Sequence, residues 1–388
     1  MKITSITPYI GDCFRTNWVF LKVETDEGVY GWGEASLEYR EKTVAEAINE
    51  IALTVIGRNA GDIQSIWDDV NREVYYRGGP VYMSALGALE MALWDIKGKA
   101  LEVPVYELLG GKVRDSIQCY ANAWFVGARK PEEFAAKAKL AIDAGYRGLK
   151  WDPFGSAYYD LRPEVMKQAE SCVAAVAEVV NERAELLIEG HGRFNVPTAV
   201  RIADMLYNYN VGWFEEPLPP GNLDALADVR RRSRIPIAAG ERLYSRWDYV
   251  PFFALKAADF VQADVIHAGG IMELRRIADM AEAHYIPCCP HNPCGPVANA
   301  ATLHVAAVSN NIMRLETMAT DVDWRQEVAR EDTSFENGTL TIPSTPGLGV
   351  DIDVEALAKY PYQPHELRHY DGTLTDIRPL GSGFIFKK

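Results

Sequence analysis

Several things are scarce in this chain, and each scarcity removes a class of function. No stretch approaches the roughly 20 apolar residues that a membrane-spanning helix needs, and Met1 to Thr7 lack the apolar core of a secretion signal. The cytoplasm is therefore the expected location. There is no basic run, and a formal net charge of −14 repels phosphate backbones and anionic lipid surfaces, which argues against nucleic acid and membrane as partners. Cys13, Cys119, Cys172, Cys288, Cys289 and Cys294 contain no Cys-x-x-Cys pairing, so no disulfide framework is expected in a chain of this size. What the chain does have is length and apolar content. With 388 residues, 48% of them hydrophobic, it can bury a large core and is expected to form more than one domain.

Two textures divide it. Residues 1–115 begin with strands at Met1 to Ile10 and Asn17 to Thr25, turn at Asp26-Glu27-Gly28 and return through Val29 to Glu34. Helices follow around Lys42 to Ile56, Ile63 to Tyr75 and Tyr82 to Ala100, which makes an α+β module. From Ser116 the pattern alternates strand and helix. Eight apolar runs lie near Gln118–Asn122, Gly148–Asp152, Leu186–Glu189, Gly212–Glu215, Pro236–Glu241, Asp259–Asp264, Ile286–His291 and Ile312–Glu316. Between them, stripes such as Phe134, Ala138, Ala141 and Ile142, opened by Pro131 and closed by Gly145, read as helices. Eight alternating units without repeat identity predict a closed α/β barrel over residues 116–345, and chemistry in such barrels sits at the C-terminal strand ends.

Those ends carry the unusual residues. Glu189, Glu215 and Glu241 are equally spaced, each closing an apolar run, so three neighbouring parallel strands would present three carboxylates at one end of the sheet. Like charges so crowded force protonation unless a cation lies between them, and an all-oxygen set favours Mg2+ over zinc. Lys150, Asp152, His191, Asp264, His291 and Glu316 fall at the same ends. Asp264 and His291 close consecutive strands, where the carboxylate would orient the imidazole and raise its basicity, giving a general base. His267 and His284 read as structural, His304 as helix packing, and His365 and His369 fall in the C-terminal tail.

The chain resembles the enolase superfamily in its mandelate racemase and muconate-lactonizing branch, and within it the sugar-acid dehydratases acting on galactonate, gluconate or arabinonate. The resemblance covers nearly the whole chain. It is carried by Ala92–Lys99, Ile188-Glu189-Gly190-His191-Gly192-Arg193, Phe214-Glu215-Glu216-Pro217, Ala239-Gly240-Glu241-Arg242, His267–Ile271, Pro290-His291 and Pro346-Gly347-Leu348-Gly349. It implies a modified (β/α)7β TIM barrel under an α+β capping domain, the cap built from residues 1–115 and completed by 346–388. It also implies Mg2+ on Glu189, Glu215 and Glu241, a catalytic set of His291, Asp264, His191 and Glu316, a sugar-acid substrate and a symmetric homo-oligomer. In that reading His291 removes the C2 proton, His191 protonates the departing C3 hydroxyl, and a 2-keto-3-deoxy acid results. Glu316 would contact the substrate carboxylate.

The chain departs from the branch at its second strand, where Lys150-Trp151-Asp152 stands in place of Lys-x-Lys. Without the second lysine, return of a proton to the opposite face loses its partner, which argues against racemisation. Lys150, Asp152 and Arg193, with Arg15, Asn17, Trp18, Tyr76 and Arg77 from the cap loops, are the expected substrate contacts. Asp152 is open between binding a distal hydroxyl and capping a loop. The first metal ligand is Glu189 where much of the branch has Asp. The alternatives are an epimerase or cycloisomerase, a metal hydrolase, against which the absence of a His-x-His pair on the first strand speaks, and a non-catalytic sugar-acid sensor.

Overall fold

The computed structural model describes residues 1–366, 372 and 375–385; His369 lies outside them. The chain opens with an antiparallel sheet of β1 (Ile3–Asp12), β2 (Asn17–Thr25) and β3 (Tyr30–Glu34). Helices α1 (Glu41–Val55), α2 (Ile63–Glu73), α3 (Pro80–Ala100) and α4 (Val105–Leu108) follow. Every residue of α3 from Met83 to Ile96 is buried: the helix is mostly apolar and enclosed on all sides, and its buried acids Glu90 and Asp95 accept from backbone N–H groups. The sheet lies directly on it. A Cβ at Gly33 would fall 1.8 Å from the Ala88 carbonyl oxygen and one at Gly31 2.2 Å from that of Ala92, so glycine here permits close packing of strand on helix.

The barrel runs β4 (Ser116–Asn122), α5 (Pro131–Asp143), β5 (Gly148–Trp151), α6 (Pro163–Val180), β6 (Glu185–Glu189), α7 (Val196–Leu206) and β7 (Trp213–Glu215). It continues with α8 (Leu223–Arg232), β8 (Ile237–Ala239), α9 (Arg246–Ala254), β9 (Phe260–Val261), α10 (Ile271–Ala283), α11 (Pro296–Val308) and β10 (Leu315–Met318). Strands β4 to β9 are parallel neighbours in chain order, and β10 pairs in parallel with β4. The expected seventh strand, Ile286 to His291, is reduced to single bridges from Cys288 to Val261 and to Ile312. Pro287 and Pro290 flank that position and offer no N–H to a ladder. The barrel still closes through these bridges, with seven helices between eight strand positions.

Tyr120, Leu187, Trp213, Ala238 and Cys289 form one buried cluster. Residues two further along a strand share its face, and two beyond Tyr120, Leu187, Trp213 and Cys289 stand Asn122, Glu189, Glu215 and His291. The polar layer therefore rests on an apolar floor.

After the barrel come α12 (Arg325–Val328), β11 (Ala329–Glu331), a hairpin of β12 (Phe335–Glu336) and β13 (Thr339–Thr341), then β14 (Val350–Ile352) and α13 (Val354–Leu357). The hairpin adds antiparallel to β4. Beyond it the chain returns to the N-terminal module: Val105 N–H donates to the Gly347 carbonyl, Pro361 bridges Gly11, and Gln363 N–H donates to Asn17 Oδ1. The tail then crosses back to the barrel, where Ile385 N–H donates to the Ala319 carbonyl. No helix among the described residues is long and apolar enough to cross a membrane.

Candidate active site

Glu189 and Glu215 are register partners on β6 and β7, and Glu241 follows β8 across the Gly240 turn. Each offers a carboxylate oxygen within 4.8 Å of the other two. Burial pushes Glu189 up to about 7 and Glu215 well above the ordinary carboxylate range, with their mutual repulsion adding to the latter. Burial opposes the charge of Glu241 too, but His291 and Arg242 beside it hold it down at about 2. Buried acids that cannot all ionise together are the donor set a hard divalent cation fits. Glu216, one residue past β7 and left-handed at φ 39°, stands outside this group of three and pairs with Arg242.

Lys150 supplies the positive charge within the polar layer. Its Nζ lies 2.7 Å from Glu215 Oε1, 2.7 Å from Glu316 Oε1 and 3.6 Å from Glu189 Oε2. Burial alone would favour the neutral amine, but Glu215 and Glu316 outweigh it and hold the ammonium charged. Glu316 is fully buried and also accepts from Asn122 Nδ2 at 2.9 Å and the Asn292 N–H at 3.0 Å. Its oxygens serve the protein, and it stands behind the cavity wall rather than on it.

Two aspartate–histidine pairs occupy the strand ends. His291 Nδ1–H donates to Asp264 Oδ2 at 2.7 Å, and its Nε2 lies 3.5 Å from Glu241 Oε2. Burial opposes its charge, yet Glu241 and Asp264 raise it to about 10. Asp264 is itself pinned by the Ile266 N–H at 2.7 Å. The second pair was not expected. His191 Nδ1–H donates to Asp152 Oδ2 at 2.7 Å, and the His191 N–H donates to Glu189 Oε1 at 2.6 Å. His191 adopts a left-handed backbone, φ 49°, a conformation that costs energy outside glycine and concentrates at functional sites. Asp152 is buried; its burial penalty is outweighed by Arg193 and His191, which keep it ionised.

These groups open onto a cavity of about 350 Å³, enough for a small-molecule ligand. Lys150, Asp152, Glu189, His191, Glu241 and His291 reach it from the barrel, and Arg15 and Trp18 from the cap. Four expected substrate contacts lie elsewhere. Arg193 is fully buried, donating to Asp152 and to the Gly155 and Gly190 carbonyls. Asn17 is buried against Glu41 and Gln363. Tyr76 is 89% exposed, and Arg77 is turned toward the Arg72 carbonyl. Conversely, His267, read as structural, lines the cavity and meets Ser84 Oγ through Nδ1 at 2.9 Å. Arg242, Tyr244, Ile377 and Arg378 also line it without having been singled out for that role. Arg242 directly follows a metal-ligand candidate, a signal available in the sequence; the tail residues offered none. His284 stacks on Phe253, and His304 hydrogen-bonds within the core.

Comparison with known proteins agrees with this architecture. The chain matches D-galactonate dehydratase of Ralstonia pickettii (strain 12J) at 37% identity over 97% of its length and 100% of that protein. It matches D-galactonate dehydratase of Pectobacterium atrosepticum at 37% over 92% of the chain and 93% of that protein. A solved structure of an enolase-superfamily member from Salmonella Typhimurium superposes with a TM-score of 0.88 at 28% identity, covering 93% of this chain and 98% of that one. Residues 9–110 match the mandelate racemase / muconate lactonizing enzyme N-terminal domain and residues 133–357 the enolase C-terminal domain-like family. Both halves of the fold thus lead to one assignment: the chain belongs to the mandelate racemase / muconate lactonizing enzyme family of the enolase superfamily.

Proposed function

We propose that this chain is a Mg2+-dependent hydro-lyase that removes water from an aldonate sugar acid to give a 2-keto-3-deoxy acid. The observation that carries the reading is the pair of histidines, each held by its own aspartate, at two strand ends beside three clustered carboxylates. Elimination of water needs a base for the C2 proton and an acid for the C3 hydroxyl, and the site offers one histidine for each. Relatives named D-galactonate dehydratase across nearly the full chain support it.

Glu189, Glu215 and Glu241 would hold the cation, which when bound supplies charge neutralisation for the second negative charge developing on the substrate carboxylate. His291 takes the C2 proton through Nε2 in its neutral form, which a cation held by Glu241 would favour by offsetting the carboxylate that raises the imidazole, and Asp264 fixes the ring and stabilises the imidazolium formed. The electron pair left at C2 forms the C2–C3 double bond as the C3–O bond breaks. A proton from His191 goes to the departing oxygen, which leaves as water, and the enol so formed becomes the ketone. The place of the second lysine is taken by Asp152, an ionised carboxylate bound by Arg193 and His191 with no proton to give, which weighs against the epimerase reading.

The test is a panel of aldonates incubated with the protein and Mg2+, with keto acid detected by a carbonyl reagent. A 2-keto product from at least one aldonate is expected. Substrate returned with C2 deuterium from D2O, but with no keto product across the panel, would replace the dehydratase reading with epimerisation.

A further inference from the structure

Asp152 was left open by the sequence between a substrate contact and a loop cap, and its hydrogen bonds decide the matter. An ionised carboxylate has about four acceptor positions. Oδ1 accepts from the Phe154 N–H at 2.8 Å and from Arg193 at 2.6 Å, while Oδ2 accepts from His191 Nδ1 at 2.7 Å and again from Arg193. No position remains for a sugar hydroxyl. Arg193 is fully buried and is itself fixed by the Gly190 carbonyl at 3.1 Å and the Gly155 carbonyl at 2.7 Å. The clamp thus spans the loops after β5 and β6; Asp152 and His191 both border the cavity, but the acceptor positions of Asp152 are already taken by the protein.

We infer that Asp152, braced by Arg193, is the positioning residue of His191, committing Nδ1 to the aspartate so that proton transfer to the leaving hydroxyl falls to Nε2. The site is then built from two equivalent devices. Asp264 sets the base and Asp152 sets the acid, each by the same Nδ1 contact, and neither aspartate touches substrate. This inference rests on the dehydratase reading for the identity of the step, but the Asp152–His191 contact can be tested without it.

The full-length, Mg2+-loaded protein would be labelled with 15N-histidine. A downfield Nδ1–H resonance from His191 is expected, identified by its loss in His191→Asn. It should be absent in Asp152→Asn and retained in Asp264→Asn. Because Asp152→Asn strands a buried guanidinium, which can be more damaging than removing both partners, the double variant Asp152→Asn/Arg193→Gln is measured alongside it. In D2O with an aldonate that the wild type dehydrates, Asp152→Asn should lose about 10²-fold in keto-acid formation, the scale of a general acid. Deuterium entry at C2 should stay within a few-fold of wild type, because His291 is untouched. Asp264→Asn should lose both. A His191 resonance that persists in both Asp152 variants would overturn the inference, as would exchange and elimination falling together in folded Asp152→Asn. If no aldonate yields keto acid but the resonance disappears with Asp152, the positioning role stands and the dehydratase reading falls.

Discussion

Lys150 places one ammonium among Glu189, Glu215 and Glu316, with Nζ 2.7 Å from the last two. Removing one partner of a buried ion pair leaves the other charge uncompensated, at a cost of about 3–5 kcal/mol. Lys150→Met is therefore expected to lower the stability of chelated protein by about that amount, read as a fall in the urea midpoint, and Mg2+ should recover part of it by neutralising Glu215. Equal losses with and without Mg2+ would mean that Glu215 and the cation do not share a charge. The strand-end residues were legible in the sequence because charged or imidazole side chains close several successive apolar runs, where any one alone would read as a helix cap or solvated loop position, and the structure brings Glu189, Glu215 and Glu241 together. Arg193 and Asn17 were not legible. A guanidinium or amide turned inward to brace a loop has the same sequence signature as one turned toward a ligand, and only its partners, Asp152 and Glu41, distinguish the two.

Two elements leaving the strand ends are held from the opposite domain. Glu34 of β3 accepts from the Gly295, Val297 and Ala298 N–H groups at the start of α11, and Glu90 of α3 accepts from those of Ile271 and Met272 at the start of α10. Carboxylates complement the positive end of a helix and satisfy its orphan donors. Glycine makes room for them: a Cβ at Gly270 would lie 2.3 Å from Glu90 Oε2, and one at Gly295 2.6 Å from Glu34 Oε1. Those helices follow the strands bearing Asp264 and His291, so the cap fixes the segments that carry the base. Glu34→Gln should cost about 1–3 kcal/mol, the range for losing charged hydrogen bonds, measured by urea unfolding. His304 of α11 makes a second tie, accepting from the Tyr106 N–H at 3.2 Å and donating through Nε2 to the Leu348 carbonyl at 3.1 Å. Burial pushes it down to about 4 from 6.5. Between those values the unfolded chain binds the proton and the folded one does not, so stability falls as pH drops from 6.5 toward 4, by on the order of 3 kcal/mol. His304→Gln, compared with wild type by urea unfolding across that window, should lack this component of the slope. Barrel elements were mostly visible as apolar runs. The β12–β13 hairpin was missed although Asn337-Gly338, both left-handed at φ 50° and 85°, is a strong hairpin signal. The seventh strand is shorter than its apolar run implies because Pro287 and Pro290 offer no N–H to a ladder.

At the scale of the molecule, the cavity lies where three parts of the chain meet: barrel strand ends, cap loops and the Ile377–Arg378 tail. The cost of crowding Glu189, Glu215 and Glu241 is borne by the fold as a whole, since burial raises the first two instead of stabilising them as anions. A cation that binds the folded chain and not the unfolded one returns stability by mass action, about 2.7 kcal/mol at a hundred times its dissociation constant. Mg2+ added to chelated protein should accordingly raise the thermal midpoint in a concentration-dependent way, and Glu215→Gln should abolish most of that rise while leaving a folded protein. Chelation should remove turnover and Mg2+ restore it. The two readouts separate a resident cofactor from one recruited with substrate: a resident ion shifts the midpoint with no sugar acid present. If turnover required Mg2+ but the midpoint shifted only when an aldonate was added, the three glutamates would be an incomplete site that the substrate carboxylate finishes.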